Sequence, residues 1–329
     1  MKKIVCILLA AVLMIFGLVG CSAPAKQELT KITLSEVTHS VFYAPQYAAI
    51  ELGYFEEEGI ELELINGAGA DKVMTAVISD QVDIGLAGPE AAIYIYNEGR
   101  EDYAQVFAQL TKRDGSFIVG RTDEDFSYED LKGKYLIGGR KGGVPEMTLE
   151  YVIKQNGVSL DELTIDTSIQ FANMGGAFAG GLGDYVALFE PTASLMEQEG
   201  KGYVLTSVGQ DSGEIPYTAY FAKKSYIEEN PEIIQGFTNA IAKAQKWIAE
   251  SSPEEVAELI ASYFPDTDVE LLASTVQRHQ EIDAWNSDPI LKEESFNRLQ
   301  DVMEEAGELT ERAPYDEIVR TDFAEKAIS

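Results

Sequence analysis

The chain has 329 residues, with 25 Lys and Arg against 56 Asp and Glu, two His, two Cys and a formal net charge of −31. The length suits about two domains, and 45% apolar with 10% aromatic residues excludes disorder as the main state. A chain this acidic, without a Lys/Arg cluster, excludes nucleic acid as a partner, and two His leave little for metal or acid–base chemistry.

Lys2 and Lys3 precede an unbroken apolar run, Ile4 to Gly20, which ends at Cys21, Ser22 and Ala23. A positive start, an apolar middle and a small-residue end make residues 1–20 a signal peptide. Leu18-Val19-Gly20-Cys21 resembles a bacterial lipobox, in which Cys21 becomes the lipid-modified N-terminus; a plain signal peptide or a retained anchor helix is the other reading. Lipidation at Cys21 would hold the chain to the cell membrane on its extracytoplasmic face. With Cys6 removed, no free thiol would remain for disulfides, nucleophilic chemistry or metal ligation. Residues 21–30 read as a tether.

Beyond the tether, strands and helices alternate. Lys31 to Val37 is β-branched and alternating, a strand, and Ala44 to Leu52 is a helix closed by Gly53. Ile60 to Ile65 is a strand, Asp71 to Ser79 an amphipathic helix, and Val82 to Ala87 a short buried strand. This order predicts right-handed crossovers and a mainly parallel sheet. The pattern then recurs. Lys134 to Gly138 is a strand, Thr148 to Asn156 a helix, Leu163 to Ile169 a strand, Met174 to Ala179 a helix and Tyr185 to Phe189 a strand. After a strand at Tyr217 to Phe221, helices are expected over 231–250, 253–263, 269–280 and 291–306, packing back on the first lobe.

One internal echo stands out. Asp83-Ile84-Gly85-Leu86-Ala87-Gly88-Pro89-Glu90 resembles Asp184-Tyr185-Val186-Ala187-Leu188-Phe189-Glu190-Pro191: an Asp opens a short apolar strand, and a Glu beside a Pro follows its carboxyl end. Ligands of open α/β sheets sit at such ends, so two lobes with such corners describe a cleft; generic strand–helix chemistry is the bland alternative.

Catalytic constellations are missing: His39 and His279 are far apart, and no G-x-S-x-G, H-E-x-x-H or Walker sequence occurs. Gly67-Ala68-Gly69-Ala70-Asp71 has half of a dinucleotide fingerprint and lacks the third Gly, which suits a tight turn into a helix better. The candidate ligand groups lie in loops after strands. His39, Ser40, Phe42, Tyr43 and Gln46 combine aromatic faces with polar groups that could orient a small planar ligand; a core role for the two rings and a capping role for His39 are the alternative. Asp114-Gly115-Ser116, near the first lobe crossing, and Asn173-Met174-Gly175-Gly176 offer further contacts or are surface loops. In Gly138 to Thr148, the glycines Gly142 and Gly143 let backbone approach a ligand, whereas Glu146 places a carboxylate in the first helical turn. With Glu90 and Glu190 also at the cleft, a neutral or weakly basic ligand is expected over an anion, unless Arg140 and Lys141 offset the charge.

Tyr43-Ala44-Pro45-Gln46, the stretch Gly53-Tyr54-Phe55-Glu56-Glu57-Glu58-Gly59-Ile60 and Asp83-Ile84-Gly85 resemble substrate-binding lipoproteins of ABC importers. The branch in question holds alkanesulfonate, taurine and nitrate binders together with binders of thiamine pyrimidine precursors. Leu131-Lys132-Gly133-Lys134, Glu190-Pro191 and Tyr315-Asp316-Glu317-Ile318-Val319 fit the same pattern. The resemblance implies an α/β fold of the type II periplasmic-binding class: two α/β lobes with mainly parallel sheets around a cleft, lobe 1 from 31–118 and 213–329, lobe 2 from 119–212. It implies a small-molecule solute, an ABC permease and ATPase as partners, a monomer, no cofactor and no metal. At the helix start, where sulfonate binders are expected to offer hydroxyls and free amides, this chain has Pro145-Glu146-Met147. The Cys-rich loop of related pyrimidine synthases is absent. The expected function is therefore non-enzymatic binding of an aminopyrimidine or another heteroaromatic, with an alkanesulfonate, taurine or nitrate as the alternative and a precursor-consuming enzyme as a third reading. Phe42 and Tyr43 would stack on the solute, and His39, Gln46, Glu90, Glu146 and Glu190 would hydrogen-bond it. Ser40, Gly88, Ser116, Gly142, Gly143, Met147 and Asn173 complete the candidate site.

Overall fold

The structure, a computed structural model, describes residues 29–329. The signal peptide, Cys21 and nearly all of the tether lie outside the described residues.

Ten strands form two five-stranded sheets. The first contains β1 (Thr30–Glu36), β2 (Ile60–Asn66), β3 (Ile84–Ala87), β4 (Ala104–Thr111) and β10 (Thr218–Lys223), in the order β2-β1-β3-β10-β4. The second contains β5 (Ser116–Gly120), β6 (Tyr135–Ile137), β7 (Thr164–Asp166), β8 (Tyr185–Phe189) and β9 (Tyr203–Ser207), in the order β7-β6-β8-β5-β9. In each sheet one strand runs against the rest: β10 is antiparallel to β3 and β4, and β5 to β8 and β9. The two orders are the same plan. Each lobe sets between its third and fourth strands a strand that has just arrived from the other lobe.

Why the sheets are buried follows from composition. β3, β4 and β5 are buried at every position, as strands covered on both faces must be, whereas the edge strand β2 alternates. The Asp of the internal echo has one job in both lobes. Asp83 Oδ2 accepts the Thr33 N–H at 2.8 Å, and Asp184 Oδ2 accepts the Tyr135 N–H at 2.9 Å. A carboxylate at the start of the third strand thus satisfies a backbone donor on the first.

Helices α1 (Ala44–Glu51), α2 (Ala70–Ile78) and α3 (Glu90–Asn97) belong to the first sheet; α4 (Val144–Gln155), α5 (Phe171–Ala179) and α6 (Thr192–Gln198) belong to the second. The long helix α7 (Pro231–Glu250) starts on a Pro, which costs no hydrogen bond at that position. It buries Ile234, Phe237, Ile241, Ala244 and Ile248 along one stripe, with Phe237 against Phe55, Phe107 and Tyr220 at 4.9–5.7 Å between ring centres. Helices α8 (Val269–Glu281) and α9 (Glu293–Glu305) follow. The C-terminal segment returns to the first sheet, where the Arg320 N–H bonds the Val106 carbonyl at 2.8 Å on the free edge of β4.

Three strands, β4, β5 and β9, escape the sequence pattern, and so do the helices α3 and α6. β4 and β5 are buried at every position and α3 over its first half, so none of the three shows the clear apolar–polar break that marks a half-buried element. Helix α4 also begins four residues before the expected Thr148, because Pro145 suits its first turn.

Candidate functional site

The chain crosses between lobes twice, through Lys112–Gly115 and Gly213–Tyr217. The two crossings are bonded side by side: the Ile215 N–H donates to Lys112 O at 2.9 Å and the Tyr217 N–H to Thr111 O at 3.2 Å. Beside them lies a cleft of about 630 Å³, room for one small organic molecule. Most of the wall comes from the carboxyl end of a strand or from a crossing. Val37, Thr38, Ser40, Phe42 and Tyr43 follow β1, Ala70 and Asp71 follow β2, Gly88 and Glu90 follow β3, and Arg140 to Pro145 follow β6. Phe189 ends β8, Tyr217 ends the second crossing, and Tyr94, Phe171 and Glu308 complete the lining.

The walls are aromatic and the polar groups few. Phe42 lies edge-to-face with Tyr217 at 5.4 Å and 6.0 Å from Tyr43 and Phe189. Its backbone is pinned, since Trp285 Nε1 donates to Phe42 O at 2.9 Å and Ser40 Oγ accepts the Phe42 N–H at 3.2 Å. Ser40 Oγ also donates across the cleft to Glu190 O at 2.8 Å.

Among the residues that line the cleft, Glu90 is a buried carboxyl. It is 2% exposed, at the first position of α3, with its carboxyl folded over Gly88. Oε1 accepts the Val144 N–H of the opposite lobe over a long 3.4 Å, and Oε2 has no partner. Burial pushes this carboxyl up to about 7. A buried carboxyl oxygen without a donor is costly in an empty protein, and a ligand N–H would satisfy it.

The places where an anion would bind are already taken. Glu146 Oε2 accepts the Gly142 N–H at 3.1 Å, and Glu90 holds the Val144 N–H, so two carboxylates occupy the start of α4. Arg140 makes a two-point pair with Asp71, 2.5 Å from Nη1 to Oδ1 and 3.2 Å from Nη2 to Oδ2, and Lys141 faces Glu308 at 3.7 Å. Both pairs join one lobe to the other at the cleft mouth. Tyr94, whose hydroxyl donates to Gly142 O at 3.0 Å, closes the same side.

Of the residues predicted from sequence, Ser40, Phe42, Tyr43, Gly88, Glu90, Gly142 and Gly143 line the cleft. His39, Gln46, Ser116, Glu146, Met147, Asn173 and Glu190 do not. His39 and Gln46 serve the buried Glu36 at the end of β1: His39 Nδ1 lies 2.9 Å from Oε1 and Gln46 Nε2 donates to Oε2 at 2.8 Å. A carboxylate 1% exposed needs such partners, and an acid ending an apolar strand is the signal that assigns them to it. Ser116 gives its N–H to Asp114 Oδ1 at 2.6 Å, and Met147 lies under Tyr94 with the hydroxyl 3.8 Å from its sulfur. Asn173 is exposed on α5. Glu190 faces the other way, bonded to Ser194 Oγ at 2.8 Å and Arg278 Nη1 at 2.9 Å. Glu146 supports the loop rather than the cleft, and burial with the neighbouring Glu150 pushes it up to about 7. Asp114 is fully buried at the crossing, not on a surface loop.

Sequence reasoning passed over Asp71, Tyr94, Phe171, Phe189, Tyr217 and Glu308, all of which line the cleft. Tyr94 carried a usable signal, since it lies one helical turn after Glu90 and shares its face. Glu308 carried none, because only the tertiary path of the tail brings it there.

Residues 41–256 match the family described as NMT1/THI5 like. A candidate binding protein, YtlA, of Bacillus subtilis (strain 168) is 40% identical over 97% of this chain and 96% of its own. A 4-amino-5-hydroxymethyl-2-methylpyrimidine phosphate synthase of Aspergillus parasiticus is 24% identical over 66% of each chain. Among solved structures, the ligand-binding component of an ABC-type import system from Staphylococcus aureus superposes with a TM-score of 0.74 at 15% identity, covering 91% of this chain and 99% of that one. The alkanesulfonate-binding protein of Xanthomonas axonopodis pv. citri gives 0.73 at 16% identity, covering 89% and 99%. These likenesses show the two-lobed periplasmic-binding fold expected from the sequence.

Proposed function

The chain belongs to the NMT1/THI5-like family, and on that premise we propose that it is the extracytoplasmic solute-binding component of an ABC importer, with an aminopyrimidine or a related amino-substituted heteroaromatic as its solute. Anchoring through a lipidated Cys21 and delivery to a permease belong to the same proposal.

The observation that carries the ligand class is Glu90, a desolvated carboxyl with a free oxygen in an aromatic cleft whose anion-binding positions are filled. A protonated carboxyl presents one donor and one acceptor side by side. The amino group and adjacent ring nitrogen of an aminopyrimidine present the complement, so the two form a paired, charge-neutral contact. Phe42, Tyr43 and Phe189 offer faces and edges for the ring. Catalysis is not proposed: the only Cys are Cys6 and Cys21, and the cleft offers no nucleophile beside a base.

A sulfonate or nitrate reading draws on Arg140 and Lys141, which do line the cleft. It would require a ligand to displace Asp71 and Glu308 from them. Calorimetry and thermal unfolding of the full-length protein in detergent, with 4-amino-5-hydroxymethyl-2-methylpyrimidine, taurine and nitrate, decide between the two. Saturation at 100 times the dissociation constant should add about 2.7 kcal/mol. Binding of the aminopyrimidine is the expected result. Binding of taurine or nitrate with a silent aminopyrimidine, or silence throughout, overturns the ligand assignment.

A further inference from the structure

Helix α3 runs along the cleft for its whole length. Glu90, Ala91, Tyr94, Ile95 and the C-cap residue Glu98 all line it, a stripe of positions one and two helical turns apart. At the helical rise of ~1.5 Å per residue, the stripe from Glu90 to Glu98 is about 12 Å long. It passes from a buried end at Glu90 to an open one, where Asp71, Glu98 and Lys141 are exposed. The lobes are already joined over this length. Tyr94 Oη donates to Gly142 O and Lys154 Nζ to Glu305 O, both at 3.0 Å, and Arg140 pairs with Asp71. Little further closure is open to them, so the 630 Å³ of the cleft is the space a ligand has. At the ~30 Å³ that a water takes in the liquid, this is room for about twenty non-hydrogen atoms, about twice those of 4-amino-5-hydroxymethyl-2-methylpyrimidine.

We propose that the solute has two units: an amino-substituted heteroaromatic ring at the Glu90 end, and a second, uncharged or cationic unit that lies along α3 toward Glu98. The buried and unpartnered Oε2 of Glu90 fixes the end that takes the ring N–H. The charge at the other end sets the second unit. There the carboxylates of Asp71, Glu98 and Glu308 line the cleft against two cations, Arg140 and Lys141. Asp71 holds Arg140 and Glu308 faces Lys141, while Glu98 meets Arg100 Nε at 3.1 Å, outside the lining. An anion would have to break those two pairs and face the remaining carboxylate; a cation or a neutral group would not. The inference rests on the heteroaromatic reading of the cleft.

The test is calorimetry on the full-length protein in detergent with three probes that share one aminopyrimidine ring. These are 4-amino-5-hydroxymethyl-2-methylpyrimidine; thiamine, which joins that ring to a cationic thiazolium; and thiamine phosphate, which adds an anion at the far end. Thiamine should bind about tenfold or more tighter than the free pyrimidine, because its additional atoms enter a space the single ring leaves empty. Thiamine phosphate should lose most of that gain. Glu98→Lys changes an exposed side chain at a helix C-terminus, where a cation suits the dipole, so the fold is kept. The variant should cut the ratio of thiamine to free-pyrimidine affinity about tenfold; a merely structural effect would weaken both probes alike and leave the ratio where it was. A thiamine advantage below about tenfold, thiamine phosphate binding as tightly as thiamine, or an unchanged ratio in Glu98→Lys overturns the inference and leaves the proposed function standing. A wild type that binds none of the three brings down the heteroaromatic reading and this inference with it.

Discussion

Replacing Glu90 by Gln should stabilise the ligand-free protein, with a gain that grows from about pH 5 and levels off above pH 7. The Glu90 carboxyl is pushed from an ordinary value of 4.5 to about 7 by burial, so the folded state holds its proton more tightly than the unfolded state does. The stability this confers is fully present below about pH 4.5 and is lost as the pH rises through 7. A separation of some 2.5 pH units corresponds to about 3 kcal/mol at 1.36 kcal/mol per unit. For a chain of this size that is about 6 °C in Tm. Gln has the same shape, still accepts the Val144 N–H, and does not titrate. Buried Asp114 and Glu146 titrate in the same direction but are common to both proteins and cancel in the difference. Thermal unfolding of the two proteins from pH 5 to 9 should therefore give curves that meet near pH 5 and separate by about 6 °C at pH 8.5, the variant being higher. Parallel curves would refute the reasoning, for they would mean that Glu90 does not titrate in a desolvated site. The amide also reproduces the donor–acceptor pair of a protonated carboxyl, so the variant should keep aminopyrimidine binding at pH 8.5 while wild type weakens about tenfold per unit above 7.

Three further outcomes follow from other parts of the molecule. His279 is 0% exposed and stacks on Trp285 at 5.4 Å, and burial lowers it from 6.5 to about 4. A depressed value means stability present above about pH 6.5 and lost as the pH falls toward 4, a span worth about 3 kcal/mol; acid unfolding of His279→Phe should lack that limb, and an unchanged acid limb would count against it. Arg140→Ala removes a half-exposed pair between the lobes, so chemical denaturation should shift by less than about 1 kcal/mol. Small-angle scattering of the same variant should nonetheless show a larger open fraction, and an unchanged radius of gyration would deny the pair its role as a clasp. Gly209→Ala places a methyl 1.9 Å from the Asp114 carbonyl oxygen, a backbone atom that cannot swing away. Overpacking of this kind costs about 1–3 kcal/mol or more, and a Tm within 1 °C of wild type would show that the crossing yields freely.

What the sequence revealed divides along a physical line. The strand–helix alternation and the paired Asp83 and Asp184 are local, so the two lobes and their equivalence were readable. The reversed strands were less so, because β5 and β10 owe their direction to the path between lobes and not to any pattern of their own. In the cleft, Phe42, Tyr43 and Glu90 were legible as residues at strand ends. His39 and Gln46 carry the same local signature yet turn inward to Glu36, since a buried carboxylate outbids an empty cleft for donors. Tyr217 and Glu308 reach the site only through tertiary closure, and no spacing announces it.

The exchange of reversed strands also bears on how the chain comes into being. β5 through β9 are contiguous in sequence, so lobe 2 holds all of its own sheet once Ser207 has been made. Lobe 1 begins first but cannot close: β3 and β4, buried at every position in the finished fold, wait with bare edges until β10 emerges and slots between them. A half-synthesised molecule is thus a finished younger lobe hanging from an unfinished older one, and the open edge is what other chains would pair with. A product truncated after lobe 2 would be an aggregation seed and not half a receptor.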